Sequence, residues 1–152
     1  MTGLRHHGQT LAFDGRGQGF LPITAAVDDA IAAAGFRQGI AVLLALHTSC
    51  SLTINENADP RVLDDLQAHL AALVPEAGSR PLSGDGPLRP YRHDDEGPDD
   101  MPAHIRTALT CTSLSLPVAQ GRLLLGTWQA VYLWEHRRQP LRRRVRLDLL
   151  GS

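Results

Sequence analysis

Hydrophobic and polar positions alternate weakly over residues 9–13, which predicts a short strand ahead of the glycine-rich Asp14-Gly15-Arg16-Gly17-Gln18-Gly19 and a return strand through Phe20-Leu21-Pro22-Ile23. The period then lengthens. Val27, Ala30, Ile31 and Ala34 form one stripe of a helix that starts at Thr24, read as its N-cap, and stops at Gly35. Residues 39–46 are a continuous apolar run, which predicts a central strand buried on both faces. Cys50, Leu52 and Ile54 then alternate with Ser49, Ser51, Thr53 and Asn55, the pattern of a strand with one polar face, and His47 is in phase with that face. Asp59 followed by Pro60 opens a second helix, with Val62, Leu63, Leu66, Leu70 and Leu73 as its buried stripe before Pro75.

Prolines 81, 87 and 90 and glycines 78, 84 and 86 make residues 76–90 a mobile surface loop without chemistry of its own. An acidic turn follows. Asp99 or Asp100 caps a short third helix that contains Met101, Ile105, Ala108 and Leu109 and carries His104 in its first turns. The rest reads as three strands, over residues 113–118, 122–135 with a break or bend near Gly126, and 144–150. Helices and strands are interspersed without a βαβ rhythm, so a single α+β domain over residues 1–152 is expected.

Composition narrows the function. A chain of 152 residues that is 43% hydrophobic and 20% charged can bury a core unaided, and no apolar run is long enough for a spanning helix. Net charge is -1, so a nucleic-acid partner lacks its usual basic field. All 15 basic residues are arginine, which leaves arginine forks, backbone N–H groups and hydroxyls to hold any oxyanion. Cys50 and Cys111 lack a C-x-x-C spacing and read as buried structural thiols in a reduced cytoplasm, and the N-terminal residues show no export pattern.

Seven histidines invite a metal reading. His47, His93, His104 and His136 sit beside polar residues at element ends, and three histidines with an open position suit zinc or another divalent ion that polarises a phosphoryl oxygen. Glu56, where a strand gives way to a helix N-terminus, is a candidate general base, whereas Asp59 is more simply a cap. The acidic run over residues 94–100 reads as a solvated turn or a Mg²⁺ site. Trp128, Ala130, Tyr132 and Trp134 put aromatics on one strand face, read as packing or a ligand platform. Six arginines over residues 137–146 read as a charged strand edge or an anion patch.

Three blocks, His47-Thr-Ser-Cys-Ser-Leu-Thr-Ile-Asn-Glu-Asn-Ala-Asp-Pro60, Tyr91-Arg-His-Asp-Asp-Glu-Gly-Pro-Asp-Asp-Met-Pro-Ala-His-Ile105 and Gly121-Arg-Leu-Leu-Leu-Gly-Thr-Trp-Gln129, followed by Glu135-His136-Arg137, resemble the YjbQ family over nearly the whole chain. The resemblance implies a compact α+β sandwich, a homotrimer, and a thiamine-phosphate synthase-like activity that joins a pyrimidine diphosphate to a thiazole phosphate. It implies a divalent ion (zinc, manganese or magnesium) held by His47, His93 and His104. Glu56 would act as base, His136 would protonate a leaving oxygen, and Ser49, Ser51, Asn57, Gln129 and Arg137 would bind substrate. A metal-dependent phosphate-ester hydrolase and a non-enzymatic metabolite-binding trimer are the alternatives. Cys50 stands where the family usually has alanine, and Ala130 replaces the glycine usual after Gly-Thr-Trp-Gln.

Overall fold

The computed structural model describes residues 3–152, whose elements run β1 (Arg5–Asp14), β2 (Gly19–Pro22), α1 (Thr24–Ala33), β3 (Gln38–Ala45), β4 (Cys50–Glu56), α2 (Pro60–Leu73), α3 (Asp100–Leu109), β5 (Ser113–Ala119), β6 (Arg122–Leu123), β7 (Gln129–Glu135) and β8 (Arg142–Gly151). Five strands pair in the order β1-β8-β3-β5-β6 and three in the order β2-β7-β4, every pair antiparallel. This is the expected α+β class. One core joins both sheets to α1: Val27 and Ile31 of the helix meet Ala41 and Leu43 of β3, Leu52 of β4, Val131 and Leu133 of β7, and Val145, Leu147 and Leu149 of β8. Each such aliphatic side chain removed from water contributes about 1.5–3 kcal/mol. Among the described residues no helix is long and apolar enough to cross a membrane.

β3 is central to its sheet, but it is buried on one face only. Ala41, Leu43 and Ala45 point inward, while Ile40, Val42, Leu44 and the following Leu46 are 38–50% exposed. The apolar run therefore recorded two faces of different fate, one in the core and one outside it. The same holds for α2, whose Leu70 is buried while Val62, Leu63 and Leu66 are half-buried and Leu73 is exposed.

Local chemistry explains further departures. Thr24 is the first residue of α1 and not its cap, because its hydroxyl accepts the Val131 N–H at 2.8 Å and ties the helix to β7. Asp59 caps α2 as expected, accepting the Arg61 N–H at 3.0 Å. Asp99 holds the cap position of α3, yet its carboxylate turns away from the helix toward Arg137 and Arg138. The break near Gly126 separates β6 from β7 and leaves Trp128 65% exposed, so of the three aromatic side chains Tyr132 and Trp134 are buried, packed on Phe20. β8 lies between β1 and β3, which overturns the reading of the arginine run as a sheet edge. Its alternation sends Arg143 inward and leaves Arg142 and Arg144 outside. Cys111 is exposed, whereas Cys50 is buried as expected.

The glycine-rich turn between β1 and β2 packs on the segment before β8. A Cβ on Gly17, whose φ is 92°, would collide with the Arg138 carbonyl. Within residues 76–90, Ser79 and Arg89 exchange backbone hydrogen bonds of 2.9 Å, and Tyr91 Oη donates to the Pro75 carbonyl just before it.

Candidate metal centre

Three segments meet at one end of the smaller sheet: the turn leaving β7, the N-terminal turn of α3, and the loop entering β4. The turn after β7 carries His136 and Arg137, both buried. Arg137 spreads its guanidinium over the start of α3, donating from Nη1 to Asp100 Oδ1 at 2.6 Å, from Nε to Asp99 Oδ2 at 3.1 Å and from Nη2 to the Glu96 carbonyl at 2.8 Å. Burial by itself would raise the pKa of Asp99, but the Arg138 N–H and then Arg137 outweigh it and hold that carboxyl below the usual range.

Asp100 is 1% exposed, and its second oxygen faces two histidines. His93 Nε2 lies 2.7 Å from Oδ2 and His104 Nε2 lies 3.4 Å from it. One ligand atom from each of the three residues falls within 4.8 Å of the others. His104 Nδ1 is 3.0 Å from the Thr48 carbonyl, which can only accept, so Nδ1 carries the proton and a neutral ring turns its Nε2 lone pair toward an acceptor oxygen. Two lone pairs that face each other call for a cation or a proton between them. Two imidazoles and a carboxylate, with a carbonyl orienting one ring and an arginine orienting the acid, are donors that suit zinc or a similar divalent ion.

Of the histidines expected at a metal, the structure brings His93 and His104 together and sets His47 apart, its Nε2 accepting the Arg144 N–H at 2.8 Å. Burial, then the charges of Arg143 and Arg144, push the His47 pKa below its ordinary value. His136 is fully buried with Nε2 2.9 Å from Ser51 Oγ, and Nδ1 has no partner. Burial, followed by Arg106 and Arg143, pulls its pKa to about 3, so the ring is neutral. Ser49 Oγ accepts from Arg143, which also grips Glu135 through two bonds of 2.6 Å. Beside this pair Cys50 is pushed up to about 11, first by burial.

Glu56, Asn57 and Gln129 lie at the opposite end of the β4–β7 pair, about 20 Å along the strand from Cys50 by extended-chain rise. There the Glu56 carboxylate accepts the Ala58 N–H, Asn57 donates to the carbonyls of Thr127 and Gln129, and the Gln129 side chain accepts the Gly126 N–H. The sequence alone presents Asp100 as a helix cap or as part of an acidic run, not as a ligand. Its spacing to His104, four residues on a helix, was the signal that places both on one face.

A sequence model of the family described as UPF0047 protein YjbQ-like matches residues 9–152. The chain is 44% identical over 148 residues to a UPF0047 protein of Synechocystis, covering 97% of this chain and 94% of that one. It is 40% identical to UPF0047 protein YjbQ of Salmonella typhimurium, covering 95% and 97%. Among solved structures, a conserved hypothetical protein from Thermus thermophilus superposes with a TM-score of 0.76 at 36% identity, covering 93% and 98% of the two chains. An uncharacterized protein of the yjbq/upf0047 family from Clostridium acetobutylicum superposes at 0.75 with 33% identity, covering 94% and 98%.

Proposed function

This chain belongs to the YjbQ-like UPF0047 family, and from that premise we propose a metal-assisted enzyme acting on a phosphorylated small molecule, with thiamine-phosphate synthase-like joining of a pyrimidine diphosphate to a thiazole phosphate as its reaction. The observation that carries the reading is the convergence of His93, Asp100 and His104. When bound, a divalent ion would neutralise charge on a phosphate or pyrophosphate leaving group. His93, Asp100 and His104 hold that ion, and Arg137 positions Asp100 instead of gripping substrate, since its guanidinium is already committed to protein groups. His136 serves as a neutral partner of Ser51 and not as a proton source.

The buried carboxylates around the centre are each paired with arginine, Asp99 and Asp100 with Arg137 and Glu135 with Arg143. For the assembly we infer a homotrimer, supported by the exposed apolar stripe of Ile40, Val42, Leu44, Leu46 and Leu150 on the outer face of the larger sheet. Glu56, Asn57 and Gln129 would then serve the centre only from a second copy. Unpaired Cys50 and Cys111 fit a reducing cytoplasm.

The test is metal analysis of untagged protein, with assays of both substrates in Zn²⁺, Mn²⁺ and Mg²⁺. About one ion per chain, lost together with product formation in His93→Ala and Asp100→Ala, is the expected result. Phosphate release without joining would replace the synthase by a hydrolase, and substrate binding without turnover would leave a metabolite-binding trimer.

A further inference from the structure

The loop over residues 76–90 is tied down at its base beside the metal centre. Glu76 pairs with Arg138, whose own N–H donates to Asp99 at 2.9 Å, and Tyr91 Oη donates to the Pro75 carbonyl at 2.8 Å. Farther out, Ser79 and Arg89 exchange two backbone bonds of 2.9 Å, and the Gly84 N–H donates to the Pro81 carbonyl at 2.9 Å. Gly78, with a φ of 129°, permits that closure, since a Cβ there would collide with the Arg89 carbonyl. The loop encloses an open cleft of about 370 Å³ lined by Ser79, Arg80, Pro81, Pro87 and Arg89. That volume falls in the range of small-molecule sites.

No carboxylate lines the cleft. Arg80 and Arg89 are both exposed, and neither forms an ion pair among the described residues, not even with Asp85 of the same loop. Two cations share one small space without a counter-charge. Elsewhere the arginines are committed or accompanied by acid. Arg137 is spent on Asp99 and Asp100, Arg138 on Glu76 and Arg143 on Glu135, while the clefts bordered by Arg16 and Arg122 also present Glu135 and Asp28. With no lysine in the chain, a phosphate that the metal does not neutralise has to be held by arginine.

We propose that Arg80 and Arg89, with the Ser79 hydroxyl, form a clamp for a phosphoryl group, the one that a phosphorylated ligand keeps while the ion neutralises the leaving group. The identity of the ligand rests on the proposed reaction, but binding of the anion at this cleft does not. Four residues separate Arg89 from His93, so their Cα atoms are at most about 14 Å apart, within reach of one extended ligand.

Calorimetric titration and ³¹P NMR with inorganic phosphate and with phenyl phosphate, at low salt, on metal-free and Zn²⁺-loaded protein, test the clamp. Arg80→Gln and Arg89→Gln should each weaken binding of both anions about tenfold, and the double variant should not saturate. Arg92→Gln removes the same charge outside the cleft and should bind like the parent. All three side chains are exposed, so urea midpoints should not move. Arginine-dependent binding supports the proposal, with the stronger of the two probes telling a phosphate monoester from free phosphate as the source. No saturable binding by the parent, parental affinity in the double variant, or an equal loss in Arg92→Gln would overturn it. Zn²⁺ uptake without arginine-dependent anion binding defeats the clamp and spares the metal reading. Arginine-dependent binding in a protein that takes no Zn²⁺ supports the clamp and defeats the metal reading alone.

Discussion

Arg137 Nη1 lies 2.6 Å from Asp100 Oδ1, and the other oxygen of that carboxylate lies 2.7 Å from His93 Nε2. One acid therefore connects a buried arginine on the turn after β7 with the two histidines in front of it. The arrangement gives Asp100 a fixed orientation, because one oxygen is held from behind and the other is left for the centre.

Replacing Arg137 with Met should leave Asp99 and Asp100 buried without their counter-charge, at a cost of about 3–5 kcal/mol. It should also lower divalent-ion affinity by about 10- to 100-fold through loss of orientation. Urea unfolding and calorimetric titration with Zn²⁺ read the two effects separately. A destabilised protein with parental metal affinity would remove Arg137 from any positioning role.

Acid should unfold this protein partly through His136. Burial, then Arg106 and Arg143, holds its folded pKa at about 3, against about 6.5 for an unfolded histidine. Between those values the unfolded chain takes up the extra proton, so this contribution is complete above about pH 6.5 and is lost as pH falls toward about 3. The slope reaches about 1.4 kcal/mol per pH unit for one proton. His136→Asn should flatten the pH dependence of the urea midpoint between about pH 6 and pH 4; parallel profiles for variant and parent would exclude His136 as a source of acid lability.

The outer sheet face offers a test of assembly. Val42 and Leu44 are 40% and 41% exposed, so a charge at either costs the isolated chain little. Val42→Asp with Leu44→Asp should shift the sedimenting species from three chains to one of 16.5 kDa, with secondary structure kept. A parent protein that already sediments as a single chain would end the trimer reading.

Much of the candidate site was legible from residue type and position. His93 and His104 flank the start of a helix that Asp99 and its neighbours announced, and the helix formed where expected. Arg137 and His136 followed the last residue of β7, where sequence placed them beside an acid. Their roles were not legible, because a guanidinium offers the same fork to a substrate phosphate and to a buried carboxylate. His47 shared its polar surroundings with His93, and nothing local separates a ligand from a ring that receives a backbone N–H of β8.

The local pattern was sufficient for most elements and the α+β class, since period and capping act over a few residues: β4, α2 and the break at Gly126 all came from neighbouring side chains. It was also sufficient to mark Cys50 as a buried thiol. Long-range pairing settled the rest. The register of β8 between β1 and β3 turned Arg143 toward Glu135 and Arg144 outward, and the seating of α3 against β4 brought Asp100 between residues 7 positions before it and 37 after it. Alternation assigns a residue to one face or the other, but which face meets the core depends on strands and helices far away in the chain. That is why the apolar run of β3 identified its strand and could not reveal that Val42 and Leu44 lie outside the core.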